Sequence, residues 1–184
     1  MEFRLSLYSN GVREILELDG GGNRLIPLIS GQCSSAETKK RLQKANADIL
    51  FPGARSGKAA LAGLWLYFSC FEESHCISQE LHSREGSYWH GILHRQEPDN
   101  WNAKYWFRQV GTHPIFPQLR EAAAEIAAAH GNKLSIPARW DAAWFADLCD
   151  AAAADLGHPH RETALEIQRA EWQLLFAWCA LPAA

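Results

Sequence analysis

The sequence predicts a mainly α protein: an irregular bundle of six or seven helices with a short N-terminal β-hairpin. Three observations carry that expectation. Apolar residues recur with helical period from about Ser35 to Leu181. Capping residues and Pro or Gly breakers punctuate that stretch at intervals of one helix. The first 30 residues lack the period and instead alternate. The composition agrees: 184 residues, 47% hydrophobic and 21% charged, suit one hydrophobic core. Residues 1–184 therefore read as a single helical domain, with residues 1–30 an irregular or hairpin segment.

At the N-terminus Phe3, Leu5 and Leu7 alternate with polar neighbours, and Asn10-Gly11 precedes the run from Val12 to Leu18. Asn-Gly between such runs is a hairpin signal, because both residues tolerate positive φ. Ser34 or Ser35 caps a first helix that Pro52-Gly53 stops. A second runs from about Ser56 to His82, and a third through Tyr88 to about Gln96, ended by Pro98. Asp99 or Asn100 caps a fourth that Gly111 closes near Val110. Leu119, Ala122, Ala123, Ile126 and Ala127 stripe the next helix, and Trp140, Trp144 and Leu148 the one after. Leu165, Trp172, Leu175, Phe176 and Cys179 line the last.

Several classes fall away. The formal charge of −3 leaves no basic footprint for nucleic acid. The most apolar stretch, Ala59 to Phe71, is 13 residues long, and a membrane span needs about 20. Gly53-Ala54-Arg55-Ser56-Gly57-Lys58 has one residue too few between its glycines for a phosphate loop, and alanine follows the lysine. His158-Pro159-His160 reads as a solvated turn between helices. Five cysteines without a CxxC pair argue against a disulfide framework and a thiolate zinc finger, and Cys70 and Cys76 read as small buried hydrophobes. With no secretory signal visible, a reducing cytoplasm is expected.

Chemistry concentrates in residues 72–113. Five of eight histidines fall there (His75, His82, His90, His94, His113), where even spacing gives about two. Glu72, His75, Gln79 and His82 form one stripe on the second helix, and His90 and His94 an i, i+4 pair on the third. Helices joined by a short link pack antiparallel, and reflection about that link sets Gln79 near His90, His75 near His94 and Glu72 near Glu97. Glu72-x-x-His75 is the acid-plus-imidazole spacing of carboxylate-bridged metal sites, and His90-x-x-x-His94 lets two imidazoles meet one ion. A ferritin-like site needs a second such acid–His unit, and a zincin needs Glu where Gly91 stands.

Glu72, His75, His90 and His94 are therefore candidate ligands of a divalent metal, with His90 and His94 also candidate acid–base catalysts. Arg95, Lys104 and Arg108 are candidate clamps for a small anionic substrate, with Trp101 as an apolar wall. Two other readings stand beside this enzyme. The same pocket retains a small anion or partner without catalysis, or the polar groups form a structural seam in the core. No membrane partner is expected.

The stretch Ser87-Tyr88-Trp89-His90-Gly91-Ile92-Leu93-His94-Arg95-Gln96-Glu97-Pro98-Asp99, followed by Asn102-Ala103-Lys104-Tyr105-Trp106-Phe107-Arg108-Gln109-Val110-Gly111, forms a distinctive block. It resembles an uncharacterised family of bacterial and fungal proteins with Trp-His, His-Arg-x-Glu and Asn-Ala-Lys-Tyr-Trp patterns, and Glu72-Glu73-Ser74-His75 belongs to the same block. The resemblance covers about a quarter of the chain and implies no activity, cofactor or substrate.

Overall fold

The computed structural model describes residues 3–131 and 133–183, and among them the chain is helical with no strand. Ten α-helices follow in order: α1 (Asn10–Glu17), α2 (Ala36–Leu42), α3 (Ala47–Leu50), α4 (Gly57–Tyr67), α5 (Phe71–Glu80), α6 (Arg84–Gln96), α7 (Asn100–Val110), α8 (Phe116–Ala129), α9 (Ala142–Ala154) and α10 (Arg161–Ala180). One apolar core runs through them, from Tyr8 to Ala180.

The expected N-terminal hairpin is instead helix α1. Ser9 caps it, its Oγ accepting from the Val12 N–H and donating to the Leu50 carbonyl, 41 residues away. Val12, Ile15 and Leu16 then bury one face at helical spacing. Asn10 and Gly11 thus open a helix rather than turn a hairpin.

The count of six or seven helices also fails: α1 is added, the expected first helix is the pair α2 and α3, and the expected second helix is the pair α4 and α5. That second helix breaks at Ser69, whose φ of 57° is left-handed, a conformation usually left to glycine. The Cys70 N–H reaches back to the Trp65 carbonyl, and an Arg24 guanidinium holds the Ser69 hydroxyl at 3.0 Å. The new direction carries α5 away from the core while α4, apolar nearly all round, stays inside it.

Helix α6 is the centre of the bundle. It is buried from Gly86 to Gln96 and packs on α4, α5, α7 and α9. Two glycines permit that closeness. A Cβ on Gly63 of α4 would lie 2.5 Å from the Trp89 ring, and one on Gly91 of α6 would lie 2.7 Å from the Phe107 ring. Helix α10 closes the far side with Trp172, Leu175, Phe176 and Cys179 buried, and its Trp172 indole donates to the Gly63 carbonyl at 2.7 Å.

Candidate three-histidine site

The residues Leu81–Ser83 connect α5 to α6, and the Ser83 hydroxyl caps α6 by accepting from the Gly86 N–H at 3.1 Å. On α5, Ser74 and Ser78 are buried, and the Ser74 hydroxyl donates to the Ala62 carbonyl of α4. That anchoring turns the next residue, His75, toward α6. On α6, His90 and His94 lie one turn apart on the facing side. The three imidazoles converge, with one ring nitrogen of each within 4.8 Å of the others.

His75 and His90 touch through their Nε2 atoms at 3.0 Å, with the rings nearly perpendicular. The His94 ring stacks beside that of His90, with centroids 4.7 Å apart, and lies 5.7 Å from that of His75. His75 therefore meets both α6 histidines, whereas the reflected spacing paired it with His94 and gave Gln79 to His90. The helix ends explain the shift. Helix α5 stops at Glu80 and α6 starts at Arg84, so the mirror lies about two residues earlier than the expected ends imply.

Surrounding groups orient the rings. Glu97 Oε2 lies 3.0 Å from His94 Nδ1, and Asn102 Nδ2 lies 3.2 Å from His94 Nε2. The Trp106 indole stacks on His90 at 4.1 Å between centroids, and Phe71 stacks more distantly on His75. His90 Nδ1 is buried and has no hydrogen-bond partner among the described residues.

Only 4% of His90 and 8% of His94 is exposed. Desolvation, helped by the neighbouring imidazoles of His94 and His75, pushes the pKa of His90 down to about 4. Desolvation also lowers that of His94, against the opposing pull of Glu97. Both rings are neutral at pH 7, which is the form that ligates metals.

The other expected site residues are dispersed. Glu72 stands apart from the imidazoles and lines a cavity of about 630 Å³ with Phe71, Glu73 and Glu97. Arg95, next in sequence to His94, points the other way, and its Nη2 binds Glu171 Oε2 at 2.5 Å and Gln168 Oε1 at 3.2 Å in the core. Lys104 reaches Asp147 of α9 at 2.5 Å, and the Arg108 guanidinium lies over the Tyr105 ring at 5.9 Å. Trp101 is 76% exposed and stacks on Tyr105. Arg95 is thereby removed from the expected clamp, whereas Lys104 and Arg108 line one shared cavity beside Trp140.

Asn102 and Trp106 are the contacts that sequence reasoning missed. Their i, i+4 spacing on α7 puts them on one face toward α6, a signal present in the sequence beside the charged pair Lys104 and Arg108. The chain matches no protein-family model, no curated protein and no solved structure. What the fold and site define is a class: a helical bundle with a three-histidine cluster, two of whose imidazoles are buried.

The cysteines also depart from the expectation. Cys33 and Cys70 form a disulfide across 37 residues, with Cα atoms 4.2 Å apart. Cys70 is buried as expected, but it is bonded rather than free, and Cys76 is exposed. The loop that delivers Cys33 to the start of α5 is a tertiary feature that local spacing does not encode.

Proposed function

We propose that His75, His90 and His94 hold a divalent transition-metal ion, and that the protein is a metal-dependent enzyme acting on a small anionic substrate. One observation carries this reading: three imidazoles from two helices offer ring nitrogens within 4.8 Å of one another. Three neutral imidazoles leave such an ion its full charge and an open coordination position for Lewis-acid chemistry or water activation. Glu97 on His94 Nδ1 matches the carboxylate–histidine support that fixes ligating rings. The ion's own charge would attract the anion, since Arg95 and Lys104 are committed to Glu171 and Asp147.

A second reading, a metal-free polar seam, is favoured by the direct His75–His90 contact at 3.0 Å. Titration of tag-free protein with Zn²⁺ or Co²⁺ at pH 7.5, followed by calorimetry and elemental analysis, separates the two. The metal reading expects one equivalent bound, with binding lost in His75→Ala and His94→Ala. Absence of binding by the wild type selects the seam. No described helix is long and apolar enough to cross a membrane, and the free thiols Cys76, Cys149 and Cys179 suit a cytoplasmic setting. Binding neither nucleic acid nor membrane completes this reading.

A further inference from the structure

The cavity lined by Glu72 and Glu97 is bordered by a short strap, tied at one end to α6 and at the other to the turn between α4 and α5. At one end the Ser30 N–H donates to the carbonyl of Gln96, the last residue of α6, at 2.7 Å. At the other the Ser34 N–H donates to the Phe68 carbonyl at 2.7 Å, and Cys33 is bonded to Cys70. Cys70 immediately precedes α5, so the covalent tie sits five residues before His75. Between the ties Ser30, Gly31, Gln32 and Cys33 line the cavity, opposite Phe71, Glu72 and Glu97. Glu97 in turn holds His94.

We propose that Cys33–Cys70 is a thiol–disulfide exchange site for dithiol reductants, and that it latches the strap Ser30–Ser34 along the cavity lined by Phe71, Glu72 and Glu97. Ser30 to Gln32 and Ser34 are exposed and Cys33 is half-buried, whereas Cys70 is buried, so Cys33 is the sulfur within reach. A reductant thiolate attacks Cys33 Sγ to form a mixed disulfide, and Cys70 leaves as a thiolate that takes up a proton. The reductant's second thiol, as thiolate, then attacks its own mixed-disulfide sulfur. It releases Cys33, also protonated, and leaves the reductant as a disulfide. Two electrons and two protons pass to the protein, which gains two thiols. The strap then retains only non-covalent ties: its two backbone hydrogen bonds and the bond that the Ser34 hydroxyl donates to Asp19 Oδ2 at 3.1 Å. In a cytoplasmic protein a disulfide of this kind is transient and redox-sensing rather than structural. The latch does not depend on a metal. Its effect on metal exchange rests on the metal reading above.

The test compares oxidised wild type, dithiothreitol-treated wild type and the Cys33→Ser/Cys70→Ser double variant. Thiol titration after unfolding should count three thiols in the oxidised protein and all five cysteines after treatment of the folded protein. Amide hydrogen exchange should show Ser34 protected when oxidised and exchanging about tenfold faster when reduced, with Ser30 following. In zinc-loaded protein, removal of the metal by EDTA should accelerate by a similar factor on reduction. Should the double variant fail to fold, reduced wild type supplies the same comparison. Faster amide exchange with no zinc bound in either state upholds the latch and sinks the metal reading. Zinc bound with amide exchange unchanged on reduction overturns the latch, as does a pair that resists dithiothreitol in the folded protein.

Discussion

His94 and Arg95 are neighbours on α6, yet each serves a different polar layer. Arg95 enters the core, where Glu171 neutralises it and Tyr88 donates to the same carboxylate at 3.0 Å. Its remaining Nε and Nη1 find no acceptor among the described residues and lie among aromatic faces, with the Phe145 ring 4.7 Å from the guanidinium carbon. The Glu171 charge holds Arg95 protonated despite its burial. On the opposite side, no ion pair to a buried carboxylate is found for His75, His90 and His94 among the described residues, and Glu97 at the rim bonds His94 alone. One layer is closed by fixed, complementary charges. In the other, desolvation keeps His90 and His94 uncharged at pH 7, and no matching charge is fixed beside them. A group that can change state belongs where charge is unmatched, and a structural pin belongs where it is matched.

The largest expected effect breaks the closed layer. Glu171→Ala leaves the Arg95 guanidinium buried and unpaired, and should destabilise the fold by about 3–5 kcal/mol. Chemical denaturation checks this, and a loss under 1 kcal/mol would show that water already shares the site. The same variant should leave metal affinity at the histidines within about twofold if the two faces of α6 are independent. A large drop in affinity would erase the distinction between the layers.

The open layer should respond to metal instead. Zinc at about a hundred times its dissociation constant should stabilise the wild type by about 2.7 kcal/mol. His75→Ala should remove that response and leave the metal-free melting temperature little changed, because His75 is half-buried and sits at the edge of the cluster. A variant that still gains stability from zinc would place the ion elsewhere.

Protonation sharpens the contrast further. His90 titrates at about 4 in the folded state, and His94 is also depressed, whereas an unfolded histidine titrates near 6.5. Between those values the unfolded chain binds more protons, so stability rises with pH there. The contribution is complete above about pH 6.5 and is lost as pH falls toward 4. Denaturation curves at a series of pH values should show this slope, and His90→Gln should flatten it. A slope that survives unchanged in His90→Gln would overturn the assignment.

Much of the open layer is legible in the sequence because it is local. The i, i+4 spacing of His90 and His94 and a short helical connection were enough to bring His75 to them. The main helices are legible for the same reason: caps and apolar stripes act within a turn or two. What escaped depends on distant residues. The break at Ser69 carries no glycine and is held by Arg24, 45 residues earlier. Ser9 starts a helix rather than a hairpin strand with help from Leu50. Arg95 finds Glu171 across 76 residues, and Cys33 finds Cys70 across 37. No local pattern marks such partners, so a buried cation reads in sequence like a free one.

Lys104 tests the smallest of these effects. It pairs with Asp147 between α7 and α9 at 2.5 Å, with 31% and 56% of the two side chains exposed. Solvent screens that pair and two flexible side chains must be ordered to make it, so Lys104→Ala should cost about 0–1 kcal/mol. Asn100 also reaches Asp147 at 2.7 Å and keeps its carboxylate satisfied after the lysine is gone. The same substitution bears on how an anion is recognised. If the metal's charge draws the substrate, Lys104→Ala should leave phosphate or carboxylate binding to the zinc-loaded protein unchanged. Calorimetric titration of both proteins with phosphate decides it. A tenfold or greater loss of affinity would show that Lys104 leaves Asp147 to meet the anion, and that the contrast between closed and open polar contacts extends to the surface of α7.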